Sequence, residues 1–113
     1  MPKLIKILKS DKPKKKFVAI FKTDKGRQKK VYFGAAAMND YTLTGDKKAR
    51  ERYRTRHKKD LKTNDPTRAG YLSFAILWTK PNLKASILFY NKLLNKYNKD
   101  KDIEKFKKEL LDA

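Results

Sequence analysis

The sequence has no cysteine, one histidine and one tryptophan, and its 12 acidic side chains face 31 lysines and arginines. Without cysteine, a disulfide framework and any thiolate metal site are excluded, a composition that suits a reducing compartment. No apolar run reaches the ~18 residues of a transmembrane helix. Met1 to Lys16 alternates lysine with short aliphatic pairs and lacks the continuous core of a signal peptide. A Walker loop, a glycine-rich phosphate cradle, an HExxH pair and a nucleophile elbow are all missing. Gly34 and the three alanines after it form a small-residue passage where backbone packs closely, not a dinucleotide fingerprint. The expectation is a protein that is not an enzyme, with no metal, cofactor, small-molecule substrate or membrane partner.

What is present is positive charge. The 113 residues fit one basic domain spanning 1–113, with a formal net charge of +19. Such self-repulsion destabilises a compact state unless anions offset it, so the charge speaks of association. High charge with low hydrophobicity is also the signature of disorder. Here 39% of the residues are apolar and 12% aromatic, and they fall in patterned runs that can build a modest core. Residues 1–30 carry 12 basic against 2 acidic side chains, whereas residues 64–113 carry 10 against 6. The first 15 residues are expected to be partly mobile.

Phe17-Val18-Ala19-Ile20-Phe21 and Lys30-Val31-Tyr32-Phe33 read as strands joined by Asp24-Lys25-Gly26, a hairpin over 16–33. Leu4 to Leu8 is either a further strand or a short helix. Residues 35–43 look irregular. Asp46 to Lys59 is dense in helix formers, with Thr44 or Asp46 as cap. Asp65-Pro66 predicts the start of a buried central helix running from Thr67 to about Thr79. Leu83, Ile87, Tyr90, Leu94 and Tyr97 recur at steps of four and three, the seam of a packed helix. Residues 98–113 hold a short terminal helix with Ile103, Phe106 and Leu110 inward. The fold class is α+β: a small antiparallel sheet of two or three strands, then three or four packed helices.

The basic helix is the most suggestive stretch. Arg50, Arg54 and Lys58 form one row, Arg52, Arg56 and Lys59 a second, while Ala49, Tyr53, His57 and Leu61 lean toward the core. The planar fork of arginine pairs with two phosphate oxygens at once, so an arginine-rich face suits nucleic acid. The expected contacts are Lys47, Lys48, Arg50, Arg52, Arg54, Arg56, Lys58 and Lys59, together with Lys14, Lys15, Lys16, Lys29 and Lys30 of the hairpin. The helix offers little Asn, Gln or Ser to read base edges, so contacts to phosphate should dominate. Tyr32 is expected to be half-exposed and Phe33 in the core. His57, the sole histidine, reads as a packed residue; pairing with Asp40, Asp60 or Tyr41 would be needed for general-base chemistry.

Tyr32-Phe33-Gly34-Ala35, Asn39-Asp40-Tyr41-Thr42, Arg52-Tyr53-Arg54-Thr55-Arg56-His57-Lys58, Thr67-Arg68-Ala69-Gly70 and Leu77-Trp78-Thr79-Lys80-Pro81-Asn82-Leu83-Lys84-Ala85-Ser86-Ile87 follow one another in a set order. Over roughly residues 16–90 this order resembles a family of short, basic, mostly uncharacterised proteins of giant and large DNA viruses. The resemblance implies a virion-associated protein that neutralises and compacts the genome, located in the virion interior and the host's cytoplasmic viral factory. It leaves Tyr41 and His57 free to form a buried hydrogen bond that fixes the loop against the basic helix. DNA is favoured over RNA as partner, with self-association into a homodimer as one route to bridging duplexes. The alternative is a structural protein of the virion holding acidic protein partners. A small metal-dependent nuclease ranks last.

Overall fold

The computed structural model describes residues 2–113. Its β-rich runs form strands β1 (Lys3–Lys9), β2 (Lys15–Lys22) and β3 (Gln28–Ala35), an antiparallel meander with β2 in the middle. The hairpin is therefore joined by a third strand, and Leu4 to Leu8 is not a helix. Residues of the segment expected to be mobile are tied to β2 from Lys9–Phe17 to Lys3–Lys22. The β2–β3 turn closes through the Thr23 N–H on the Arg27 carbonyl at 2.8 Å and the Gly26 N–H on the Thr23 carbonyl at 2.9 Å.

Side chains alternate across a strand. Phe17, Ala19 and Phe21 of β2 and Phe33 of β3 face the core, where Tyr71, Phe74, Ile76, Tyr90, Phe106 and others meet them. Val18 and Ile20 point the other way. They remain only 6% exposed because their cross-strand neighbours flank them: Leu8 and Tyr32 beside Val18, Lys6 and Lys30 beside Ile20. The lysine stems cover apolar surface while their ammonium groups stay in water.

A one-turn helix, α1 (Tyr41–Thr44), occupies the segment expected to be irregular. Asp40 caps it by accepting from the Thr42 N–H at 2.9 Å. Helix α2 (Lys47–His57) is capped by Asp46, which accepts from the N–H groups of Lys48 and Ala49, and it tightens into a 3-10 turn over Lys58–Thr63. The next helix does not begin at Pro66. The Asp65 carboxylate accepts from the N–H and hydroxyl of Thr67, at 3.0 and 2.7 Å, which folds Pro66–Thr67 into a turn. Helix α3 starts at Ala69, runs to Leu72 and widens into a π turn over Ser73–Leu77. Tyr71, Leu72 and Phe74 to Leu77 are all buried, so this segment is the centre of the core.

Helix α4 (Leu83–Asp100) buries Tyr90 and Leu94 of the expected seam and runs past residue 98. Helix α5 (Ile103–Asp112) buries Phe106 and Leu110 and caps on Asp102. Phe106 sits edge-on to Tyr71, Tyr90 and Tyr97, with centroid distances of 5.8, 6.5 and 6.1 Å, so the last helix is anchored by aromatic packing. The fold is α+β, a three-stranded antiparallel sheet followed by helices.

Candidate functional site

The inward stripe of α2 is Arg50, Tyr53, Arg54 and His57, continued by Leu61 in the 3-10 turn. Its steps of three, one and three place all of them on one helical face. Arg54, expected among the outward contacts, is only 8% exposed. One guanidinium nitrogen donates to the Thr79 hydroxyl at 2.8 Å, and another donates to the Leu110 and Leu111 carbonyls at 2.9 and 3.1 Å. Its Cζ lies 4.7 Å from the centre of the Phe74 ring. A helix leaves its last carbonyls without intrahelical donors, and the five N–H groups of arginine supply them to α5. Burial, with the Arg50 cation beside it, lowers the Arg54 pKa to about 10, which leaves it charged at neutral pH.

Arg50 is also turned inward. It donates to the Thr79 carbonyl at 3.0 Å and to the Ala113 carbonyl oxygen at 2.6 Å, and pairs with Glu51 at 2.8 Å. The row of Arg50 and Arg54 is thus a clamp on α5, whereas Arg52, Arg56, Lys58 and Lys59 point to solvent with Lys47 and Lys48.

The hairpin lysines divide similarly. Lys16 forms an ion pair with Asp40 at 2.5 Å, with side-chain exposures of 11% and 2%, which ties the start of β2 to the cap of α1. Lys29 is exposed and donates to the Thr67 hydroxyl at 3.0 Å. Lys14, Lys15 and Lys30 are exposed, and among the described residues none of them has an ion-pair partner. Tyr32 is half-buried as expected. It donates to Asp11 at 2.7 Å under the Lys12 ammonium, and this bond raises the phenol pKa while lowering that of Asp11. Phe33 is fully buried.

A cleft of about 670 Å³ opens where the end of β3, the 35–40 loop, α2 and α3 converge. One wall is a stack of three rings. Tyr53 lies 4.4 Å from Trp78, nearly parallel at 8°, and 4.1 Å from His57 at 23°. Burial, and the nearby Asp60 carboxylate, push the Tyr53 phenol up to about 12. His57 Nδ1 lies 2.9 Å from Asp60 Oδ2. The hydrogen bond between Tyr41 and His57 does not form, because Tyr41 is buried beneath the Arg50 guanidinium at 5.6 Å.

Two glycines that line the cleft sit in close packing. A Cβ on Gly34, which has φ +80°, would lie 2.9 Å from Leu77 Cδ1, and a Cβ on Gly70 would lie 3.0 Å from that of Asp60. Lys15 from the sheet and Arg56 from α2 both line the opening, so the two basic segments meet there. Of the residues that line it, Trp78, Met38, Asp60 and Gly70 had no place among the expected contacts. No helix among the described residues is long and apolar enough to cross a membrane, and no group of three or more metal-ligating side chains occurs among them. No curated protein and no solved structure matches the chain. Over residues 5–57, which carry most of the sheet, α1 and α2, the chain is similar to a family of unknown function (DUF5754).

Proposed function

We propose that the protein binds nucleic acid, duplex DNA foremost, through phosphate contacts that do not read sequence. The observation that carries this reading is the state of its cations. Lys14, Lys15, Lys30, Lys47, Lys48, Arg52, Arg56, Lys58 and Lys59 are all exposed, and among the described residues none forms an ion pair. The outer face of the sheet adds Lys3 directly opposite Lys22, and Lys6 and Lys30 flanking Ile20. Like charges facing each other across strands are destabilising unless an anion sits between them. A phosphate backbone supplies that anion, and release of its counterions supplies affinity.

The exposed side of α2 presents Lys47, Lys48, Glu51, Arg52, Thr55 and Arg56, with no amide to recognise a base edge. Lys15 and Arg56 share one cleft mouth, which favours a connected basic surface that coats a polyanion. The viral resemblance suggests a packaged genome as that polyanion, with neutralisation and compaction as the role and no catalysis. Labelled random duplexes of unrelated sequence, titrated at low salt, are expected to bind with the same affinity. Failure to bind any of them, with retention by acidic virion proteins instead, would replace this reading with that of a particle-interior interaction protein.

A further inference from the structure

The cleft beside the basic surface has features that phosphate neutralisation does not use. Resting on the proposed nucleic-acid binding, we infer that this cleft is a nucleotide pocket which takes an unpaired base of a single-stranded segment. At about 670 Å³ it falls within the range of small-ligand sites and exceeds what packing defects leave. In its aromatic wall both faces of Tyr53 are covered, by Trp78 and by His57, so the surface left for a base is the outer face of an end ring of this column, and the His57 side chain there is 36% exposed. Facing that wall is the small-residue loop, where Met38 is 64% exposed and can adapt to a flat ring.

The charge at the mouth matches the same ligand. Arg56 and Lys15 are exposed cations without ion-pair partners among the described residues. Of the two carboxylates that line the cleft, Asp40 is paired with Lys16 and Asp60 is hydrogen-bonded to His57. The cleft thus offers aromatic rings and small apolar residues interspersed with polar groups such as Asn39 and Ser73, with two exposed cations at its rim. Its complement is a flat aromatic group carrying a phosphate. A base within a duplex has its faces stacked on its neighbours and shows the protein only an edge, so it does not fit; an unpaired base does. Each stacked base is worth about tenfold in affinity or more.

Trp78 is the sole tryptophan, so its emission reports this cleft and nothing else. The full chain is titrated with a labelled oligothymidylate and, separately, with a labelled duplex, reading label anisotropy and Trp78 emission together. The oligothymidylate is expected to raise anisotropy and quench Trp78 saturably, while the duplex raises anisotropy and leaves Trp78 unchanged. Ala37→Phe, at an exposed position of the cleft loop, is expected to abolish the quench. Oligothymidylate that binds by anisotropy with Trp78 emission unchanged overturns the pocket and leaves the proposed function standing. So does a folded Ala37→Phe variant that is still quenched. Absence of any anisotropy change with either probe overturns both.

Discussion

Arg54 donates to the Leu110 carbonyl at 2.9 Å across 56 residues of chain, closing the end of α5 onto the face of α2. A charged side chain from the most basic helix therefore serves as a structural cap. Arg54→Ala would strand the Leu110 and Leu111 carbonyls and leave space beside Phe74. The expected loss is about 3 kcal/mol of stability. Arg54→Lys should recover little of it, because one ammonium cannot reproduce the planar fork. Chemical denaturation checks this, with Arg52→Ala, expected within about 0.5 kcal/mol of the parent, as the exposed control. Equal midpoints for Arg54→Ala and the parent would refute the cap.

The Lys16–Asp40 pair gives a second test. Removing either partner leaves the other charge largely out of water, at a cost of about 3 kcal/mol. Asp40→Leu should cost more than Lys16→Met, because Asp40 also caps α1 through the Thr42 N–H and accepts from the Thr42 hydroxyl. The double variant Lys16→Met/Asp40→Leu should be more stable than the sum of the single losses implies. A double-mutant cycle with no coupling would show that the pair contributes nothing.

Alkaline pH should unfold the domain through its tyrosines. Burial raises the phenol pKa of Tyr53 to about 12 and also raises those of Tyr71 and Tyr90, whose hydroxyls donate to the Leu61 and Pro66 carbonyls at 2.6 Å. A phenol with a raised folded pKa contributes stability that is intact below its unfolded value of about 10 and is lost as pH climbs toward the folded value. Tyrosinate absorbance is expected to rise in a cooperative step that coincides with loss of circular dichroism. Smooth ionisation of all six tyrosines in a chain that stays folded would contradict the packing described.

The strands and the α4 seam were legible in apolar residues alone, Phe17 to Phe21 as an unbroken β-rich run and Tyr90 and Leu94 as steps of a helical repeat. The inward turn of Arg50 and Arg54 was not. Both sites look like surface charge until the α5 carbonyls, more than 50 positions away, are brought against them. The same distance hid the cleft, whose walls come from β3, α2, α3 and the π turn. Trp78 read as one more apolar residue of a buried helix until it stacked on Tyr53. The start of α3 was missed for a local reason: Thr67 occupies the Asp65 carboxylate and folds the chain into a turn before the helix begins.

Separating inward from outward arginines sharpens the binding test. Arg52→Ala/Arg56→Ala removes two exposed cations without touching the α5 clamp, so the domain should melt as the parent does. Each lost phosphate contact should reduce the slope of log affinity against log salt by about 0.9. An unchanged slope would leave the helix a solvated face and move the binding site to the sheet lysines.

The central claim is that exposed cations meet phosphates. Its most direct test is the affinity of the parent protein for one random duplex between about 50 and about 200 mM salt. With six or more phosphates engaged, affinity should fall by about 10³-fold or more, along a straight line in log–log form. Affinity that stays constant over that range would contradict the account.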